Sequence, residues 1–156
     1  MNNVIHKFDY NVDRKLLLSE LPVTNRFSSL NPEWKRSFEL GTYGKKIENS
    51  FIKLVKGKAS AGYYFQSKEI SILEHLDTGC KCCININLTN DTTPIIINNT
   101  EIVYSCALIN VSSYRHSVPK PKIDRIIFRI VFLEESFEKI KILCTSSKMG
   151  NVQIRG

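Results

Sequence analysis

The spacing of apolar residues changes character near Gly62. Before it, apolar positions recur at helical intervals. Leu16-Leu17-Leu18 make an apolar turn behind the capping residues Asn11-Val12-Asp13, and Pro22 stops it. Residues 32–40 (PEWKRSFEL) predict a short second helix. Between Lys45 and Lys56, Ile47, Phe51, Leu54 and Val55 share a helical face, with Gly57 as the natural C-cap. After Gly62 the period shortens to two. Tyr63-Tyr64-Phe65 and residues 70–75 read as extended segments. In residues 84–88, Ile84, Ile86 and Leu88 fall on one face and Asn85 and Asn87 on the other. Residues 94–97 and 102–104 flank Asn98-Asn99 as a hairpin, and residues 107–111 form another strand. The run RIIFRIVF is the clearest: Arg125, Ile127, Arg129 and Val131 line one side, Ile126, Phe128, Ile130 and Phe132 the other. Residues 136–146 read as a helix capped by Ser136, although Lys139-Ile140-Lys141-Ile142 also alternates.

Helices first and many short strands afterwards predict a mainly β protein with flanking helices, a β-roll or sandwich braced on one side. The chain shows no repeat, no low-complexity stretch and no linker. It is therefore expected to be one domain over residues 1–156. Residues 1–60 would give mostly helical support, 61–133 the β-roll core, and 134–156 a C-terminal helix and tail.

Composition narrows the class. At 156 residues and 42% hydrophobic content, the core needs no disulfides. No run of about 18 apolar residues occurs, so no membrane span is expected. The opening MNNVIHKFDYNVDRK lacks a basic region followed by an apolar stretch, so no secretory signal is expected. A cytoplasmic setting with reduced thiols follows as the expectation for the five cysteines. The net charge of +7 points to an acidic partner or a small anionic substrate. Because the lysines and arginines are scattered and no nucleic-acid-reading motif accompanies them, a solvated basic surface with an anion-holding pocket is preferred over nucleic acid.

The candidate chemistry lies in His75-Leu76-Asp77, followed 39 residues after Asp77 by His116 and nine residues later by Arg125. Two imidazoles and one carboxylate can hold iron(II) on one face and leave the opposite face open. Period two sets His75 and Asp77 on the same side of a strand, and Gly79 lets the chain turn away. A strand ending in His75-x-Asp77 and one near His116 can lie side by side at one mouth of a roll.

Residues 72–86 (ILEHLDTGCKCCINI), then 107–118 and 125–128, resemble the two metal motifs of iron(II)/2-oxoglutarate-dependent oxygenases. The nearest group is the small aspartyl/asparaginyl β-hydroxylase-like enzymes, including short stand-alone phage forms. The resemblance spans roughly residues 62–133, and Asp77 supplies a carboxylate that members of that group often lack. It implies a double-stranded β-helix, the jelly-roll or cupin-like fold. It implies that His75, Asp77 and His116 hold iron(II) as the catalytic centre. 2-Oxoglutarate would bind beside it with its far carboxylate on Arg125, and oxygen would take the remaining position. Hydroxylation of a peptide, protein or small-molecule substrate would release succinate and carbon dioxide.

Several positions keep two readings. Arg129 points to the same side as Arg125 and rivals it for the co-substrate, although Arg125 fits the family spacing better. Asn85 either lines the pocket and bonds the co-substrate or is a polar residue on an exposed face. Tyr114 and Ser117 are weaker candidates. Cys80, Cys82 and Cys83 could bind zinc beside His75, but C-x-C-C is poor chelating spacing and buried apolar thiols fit better. Trp34, Phe38, Tyr63, Tyr64 and Phe65 could stack on a nucleobase, as a base oxidase would require, and more often such residues are core. His6 has no assigned role. The alternative from another class is a non-catalytic cupin-like roll that binds a metal or an anion.

Overall fold

The computed structural model of the chain describes residues 3–22, 28–31 and 34–146, with the backbone alone over Ser28–Asn31. In chain order its elements are β1 (Ile5–Lys7), α1 (Arg14–Ser19), β2 (Ser28–Asn31), β3 (Trp34–Ser37), α2 (Thr42–Val55), β4 (Ala59–Gln66), β5 (Ile72–His75), β6 (Cys82–Asn87), β7 (Ile95–Ile97), β8 (Thr100–Ile102), β9 (Cys106–Ile109), β10 (His116–Val118), β11 (Arg125–Phe132) and α3 (Phe137–Thr145). The strands form two antiparallel sheets, a large one in the order β1-β9-β6-β11-β4-β3-β2 and a small one in the order β5-β10-β7-β8. The residue pattern predicts a helix-braced β-roll or sandwich, and the arrangement found is the jelly roll, or double-stranded β-helix, that the resemblance implies. No helix among the described residues is long and apolar enough to cross a membrane.

The alternation in β11 decides what each face of the large sheet does. Phe128, Ile130 and Phe132 face the helices, where they meet Leu17 of α1, Ile47 and Phe51 of α2, and Phe137 and Ile140 of α3. Phe51 packs edge-on against Phe132, as Tyr63 does against Phe128. Each such buried side chain contributes about 1.5–3 kcal/mol. The opposite face looks into the roll. There Cys83, Ala107 and Ile109 of the large sheet meet Ile72, Ile95, Ile97, Ile102 and Val118 of the small one. Arg125 and Arg129 also lie on this inner side, on a strand paired over its whole length with β4 and over most of it with β6. Both guanidinium groups are thus anchored on the most fully bonded strand of the sheet.

Local chemistry accounts for the ends. Asp13 caps α1, its carboxylate accepting from the Leu16 N–H, and Ser136 caps α3 through the Lys139 N–H. The N-terminus of α2 has no side-chain cap of its own at Gly41. Glu20 supplies one instead, accepting from the Tyr43 and Gly44 N–H groups at 2.9 and 3.0 Å. A Cβ on Gly41 would overlap that carboxylate, which explains glycine at the position. Asn98 and Asn99 both take positive φ, giving the two-residue turn that joins β7 to β8 with the twist a hairpin needs.

Three expectations are corrected. Residues 34–37 form β3 rather than a helix, since Lys35, Arg36 and Ser37 pair with β4; residues 32–33 of that predicted helix lie outside the described residues. The first 60 residues contribute strands β1, β2 and β3 as well as α1 and α2, because both outer flanks of the large sheet are built from them. Lys56, with φ 49°, takes the left-handed position that ends α2, one residue before Gly57. The tail beyond residue 146 also lies outside the described residues.

Candidate metal centre

Strand pairing brings the two histidines together. β10 runs antiparallel to β5 with His116 directly opposite His75, and the two rings sit 4.4 Å apart. β5 ends at His75, so Asp77 reaches the site from the turn that follows, where its N–H donates to the Val111 carbonyl. Asp77 Oδ1 lies 3.1 Å from His75 Nε2 and 3.7 Å from His116 Nε2. One donor atom from each of the three residues falls within 4.8 Å of the others. His75 is 41% exposed at its side chain and His116 only 6%, so the cluster sits at a mouth with one wall inside the roll.

The hydrogen bonds of the outer ring nitrogens fix the inner ones. His75 Nδ1 lies 2.7 Å from the Leu73 carbonyl and His116 Nδ1 lies 3.1 Å from the Tyr114 carbonyl. A carbonyl oxygen only accepts, so each Nδ1 carries the proton. In the neutral rings both Nε2 atoms then aim lone pairs at a carboxylate oxygen. Hydrogen bonding to Asp77 raises the pKa of His75, so a proton can bridge that pair. Burial lowers the pKa of His116, so its contact with Oδ1 sets acceptor against acceptor. A cation placed among the three atoms removes that conflict, and two imidazoles with one carboxylate suit a divalent transition metal of the iron(II) type.

Asp77's other oxygen is already held. Arg129 donates to Oδ2 from β11. Burial works against the Asp77 carboxylate, but the His75 hydrogen bond and the Arg129 charge outweigh it and keep the group far below the usual carboxylate range. Arg129 also lies over the Tyr64 ring at 5.2 Å. Its contact leaves Oδ1 as the oxygen facing the histidines.

Arg125 stands four residues before Arg129, at the start of β11 and on the same face, in a separate buried cluster. Its Nη2 donates to the Tyr104 hydroxyl at 2.8 Å, its Nη1 donates to Gln66 Oε1 at 3.4 Å, and its Nε lies 3.4 Å from Asp91 Oδ2. Asn85 is buried on the inner face opposite Arg129 and donates to the same Tyr104 hydroxyl at 3.0 Å. The exposed-face reading of Asn85 is thereby excluded. Sequence reasoning missed Gln66, Asp91 and Tyr104. Each is a single polar residue in an otherwise unremarkable segment, and only the closing of the roll brings them to Arg125.

The cysteines do not form a cluster. Cys82 joins the helix-side core and Cys83 the interior of the roll. Burial pushes the Cys83 thiol up to about 12. Among the described residues, the group of His, Cys, Asp and Glu side chains close enough to share an ion is His75, Asp77 and His116. His6 of β1 stacks on Phe8, just beyond the strand, and Tyr63 lies in the core with its hydroxyl donating to the Leu17 carbonyl.

No protein-family model matches the sequence, and no curated protein matches it. The structure is similar to that of a prolyl-4-hydroxylase from Pseudomonas putida, with a TM-score of 0.61, 8% identity, and coverage of 78% of this chain and 82% of that one. Looser likenesses are KdgF from a Halomonas species, with a TM-score of 0.47, 8% identity and coverage of 70% and 88%, and an RmlC-like cupin from Shewanella frigidimarina, with a TM-score of 0.45, 6% identity and coverage of 70% and 84%. At such identities the likeness to the hydroxylase is one of fold.

Proposed function

We propose that the chain is an iron(II)- and 2-oxoglutarate-dependent oxygenase that hydroxylates an amino-acid side chain in a peptide or protein, or a small molecule. The observation that carries this reading is the convergence of His75 Nε2, His116 Nε2 and Asp77 Oδ1 on one point, with both outer ring nitrogens tied to carbonyls. The shared fold with a prolyl-4-hydroxylase supports it.

In this reading the three residues hold iron(II), which together with 2-oxoglutarate and oxygen supplies the oxidising chemistry and leaves succinate and carbon dioxide. Arg129 orients Asp77 by taking Oδ2, so that a single oxygen faces the metal. The carbonyls of Leu73 and Tyr114 keep the imidazoles in the ligating tautomer. Arg125 would hold the far carboxylate of the keto acid by a charge-assisted contact; its Nη2 donates to the Tyr104 hydroxyl, to which Asn85 also donates. Charge balance favours the pairing. The buried pairs Asp77–Arg129 and Asp91–Arg125 are each neutral, and a divalent cation with a dianionic keto acid adds no net charge to the interior.

The test is to add iron(II) and then 2-oxoglutarate to the protein without oxygen and record the visible spectrum. A weak charge-transfer band that appears only with both would support one open site for both. Tight zinc, or metal binding without any response to 2-oxoglutarate, would favour the non-catalytic cupin-like roll, in which Arg125 serves only its buried pair with Asp91.

A further inference from the structure

We propose that Asp91 is a specificity-determining residue of the Arg125 pocket: as the internal counter-ion of Arg125, it sets how strongly the pocket takes a dicarboxylate keto acid over a monocarboxylate one. The inference rests on the reading just given, in which Arg125 meets the far end of the co-substrate.

Asp91 comes from the segment between β6 and β7 and is held on several sides. Its Oδ1 accepts from the Thr93 hydroxyl at 2.6 Å, and its carbonyl accepts from Asn87 Nδ2 at 2.9 Å. Its Oδ2 faces Arg125 Nε at 3.4 Å, and both side chains are only 2% exposed. Neither Oδ2 nor Nε has a well-formed hydrogen bond. The contact is therefore one of charge rather than of directed bonding. Among the described residues, the hydrogen bonds of the two Nη groups go to neutral oxygens, those of Tyr104 and Gln66. Each Nη carries a second N–H beyond the bond named, a donor through which the guanidinium would hold a ligand carboxylate.

A buried charge without a partner is strongly disfavoured. Asp91 supplies that partner before any ligand arrives. A carboxylate that reaches the Nη edge then meets a guanidinium whose charge is already balanced, with a second carboxylate on its far side. The attraction is reduced, and a chain ending in a methyl group suffers less by comparison. Neutralising Asp91 reverses this, because the incoming carboxylate becomes the only counter-ion of Arg125. The wild-type pocket is thus tempered in its preference for a dicarboxylate, and Asp91 sets that preference.

The experiment measures anaerobic binding of two keto acids to the iron(II)-loaded protein. One is 2-oxoglutarate, and the other is 2-oxopentanoate, which has the same carbon chain without the far carboxylate. The ratio of their dissociation constants in wild type is compared with that in Asp91→Asn. The ratio is expected to move toward 2-oxoglutarate by about tenfold or more, since removing a buried like charge several ångströms from the ligand exceeds one decade in affinity. Because Asp91→Asn leaves Arg125 unpaired and can impair folding, the same comparison is made between Arg125→Gln and the double variant Arg125→Gln with Asp91→Asn, where removing the second charge of the pair is better tolerated. In that background, neutralising Asp91 is expected to tighten 2-oxoglutarate and leave 2-oxopentanoate unchanged. Equal ratios throughout, with 2-oxoglutarate bound by wild type, would overturn the role of Asp91 alone. Failure of wild type to bind either keto acid would overturn the function reading, and this inference with it.

Discussion

Arg129→Met separates a structural ion pair from a metal-site device. The methionine keeps an apolar stem against Tyr64 and removes the charge that holds Asp77 Oδ2. Arg129 is 8% exposed and Asp77 18%, so the pair is largely out of water. Breaking a buried pair from one side costs about 3–5 kcal/mol. Asp77 keeps its hydrogen bond to His75 and some access to water, which puts the loss nearer about 2–3 kcal/mol. For a domain of this size that lowers Tm by roughly 4–12 °C. A divalent cation bound between Asp77, His75 and His116 would restore a positive partner to the stranded carboxylate. Ligand bound only by the folded state adds to stability, and it adds more to the variant, whose Asp77 lacks the competing guanidinium. The assay is a pair of thermal melts with and without saturating manganese(II), a redox-quiet ion for the same donors. The difference between wild type and variant is expected to shrink to less than half once metal is present. The same deficit in both conditions would mean that no cation sits on Asp77, and the metal reading would fall.

Further outcomes are expected elsewhere. His116→Ala should abolish iron(II) binding, measured by metal analysis after desalting, and with it 2-oxoglutarate turnover; undiminished succinate release would remove the triad assignment. Burial raises all five thiols, so access decides which of them react: Cys82, Cys83 and Cys106 are buried, whereas Cys80 and Cys144 are partly exposed. A thiol reagent should therefore reach only the partly exposed Cys80 and Cys144 in the folded protein and all five cysteines after unfolding; rapid labelling of three or more while folded would contradict the packing described. Glu20→Gln should weaken the cap on α2 by about 1 kcal/mol, seen as a lower urea midpoint with metal affinity unchanged. An altered metal affinity in that variant would show that α2 and the metal mouth are coupled.

How far the sequence discloses the structure depends on where the information lies. β11 is legible because its two faces differ chemically, aromatic and aliphatic toward the helices, with two arginines toward the roll. The Asn98-Asn99 turn is legible because few residue pairs accept positive φ twice. His75, Asp77 and His116 are legible as metal-ligand types at a spacing a roll can close. β3 is not. Trp34 and Phe38 stand four apart, as on a helix, yet pairing with β4 and the packing of Trp34 on Tyr64 draw residues 34–37 into the sheet. Asp91 is hidden for another reason. In a stretch of Asn, Thr and Pro it reads as an ordinary loop residue, and only its distance to Arg125 reveals a buried charge. The role of Arg129 is hidden likewise, since its partner Asp77 is 52 residues away in the chain.

The order of strands in the large sheet also governs when the site can come into being. Of its six neighbour pairs, only β2–β3 and β3–β4 join strands that follow one another in sequence. Ile5 of β1 pairs with Ile109 of β9, so on a ribosome the first strand waits for the synthesis of about a hundred more residues, roughly 5–20 s. His75 and Asp77 emerge well before His116, and Arg129 follows later still. Pairings this distant put the chain among the slow folders, in the millisecond-to-second range even when released whole. Assembly of the three ligands is accordingly a late event. Supplying the ion to the unfolded chain should hold the finished protein together without hastening its arrival.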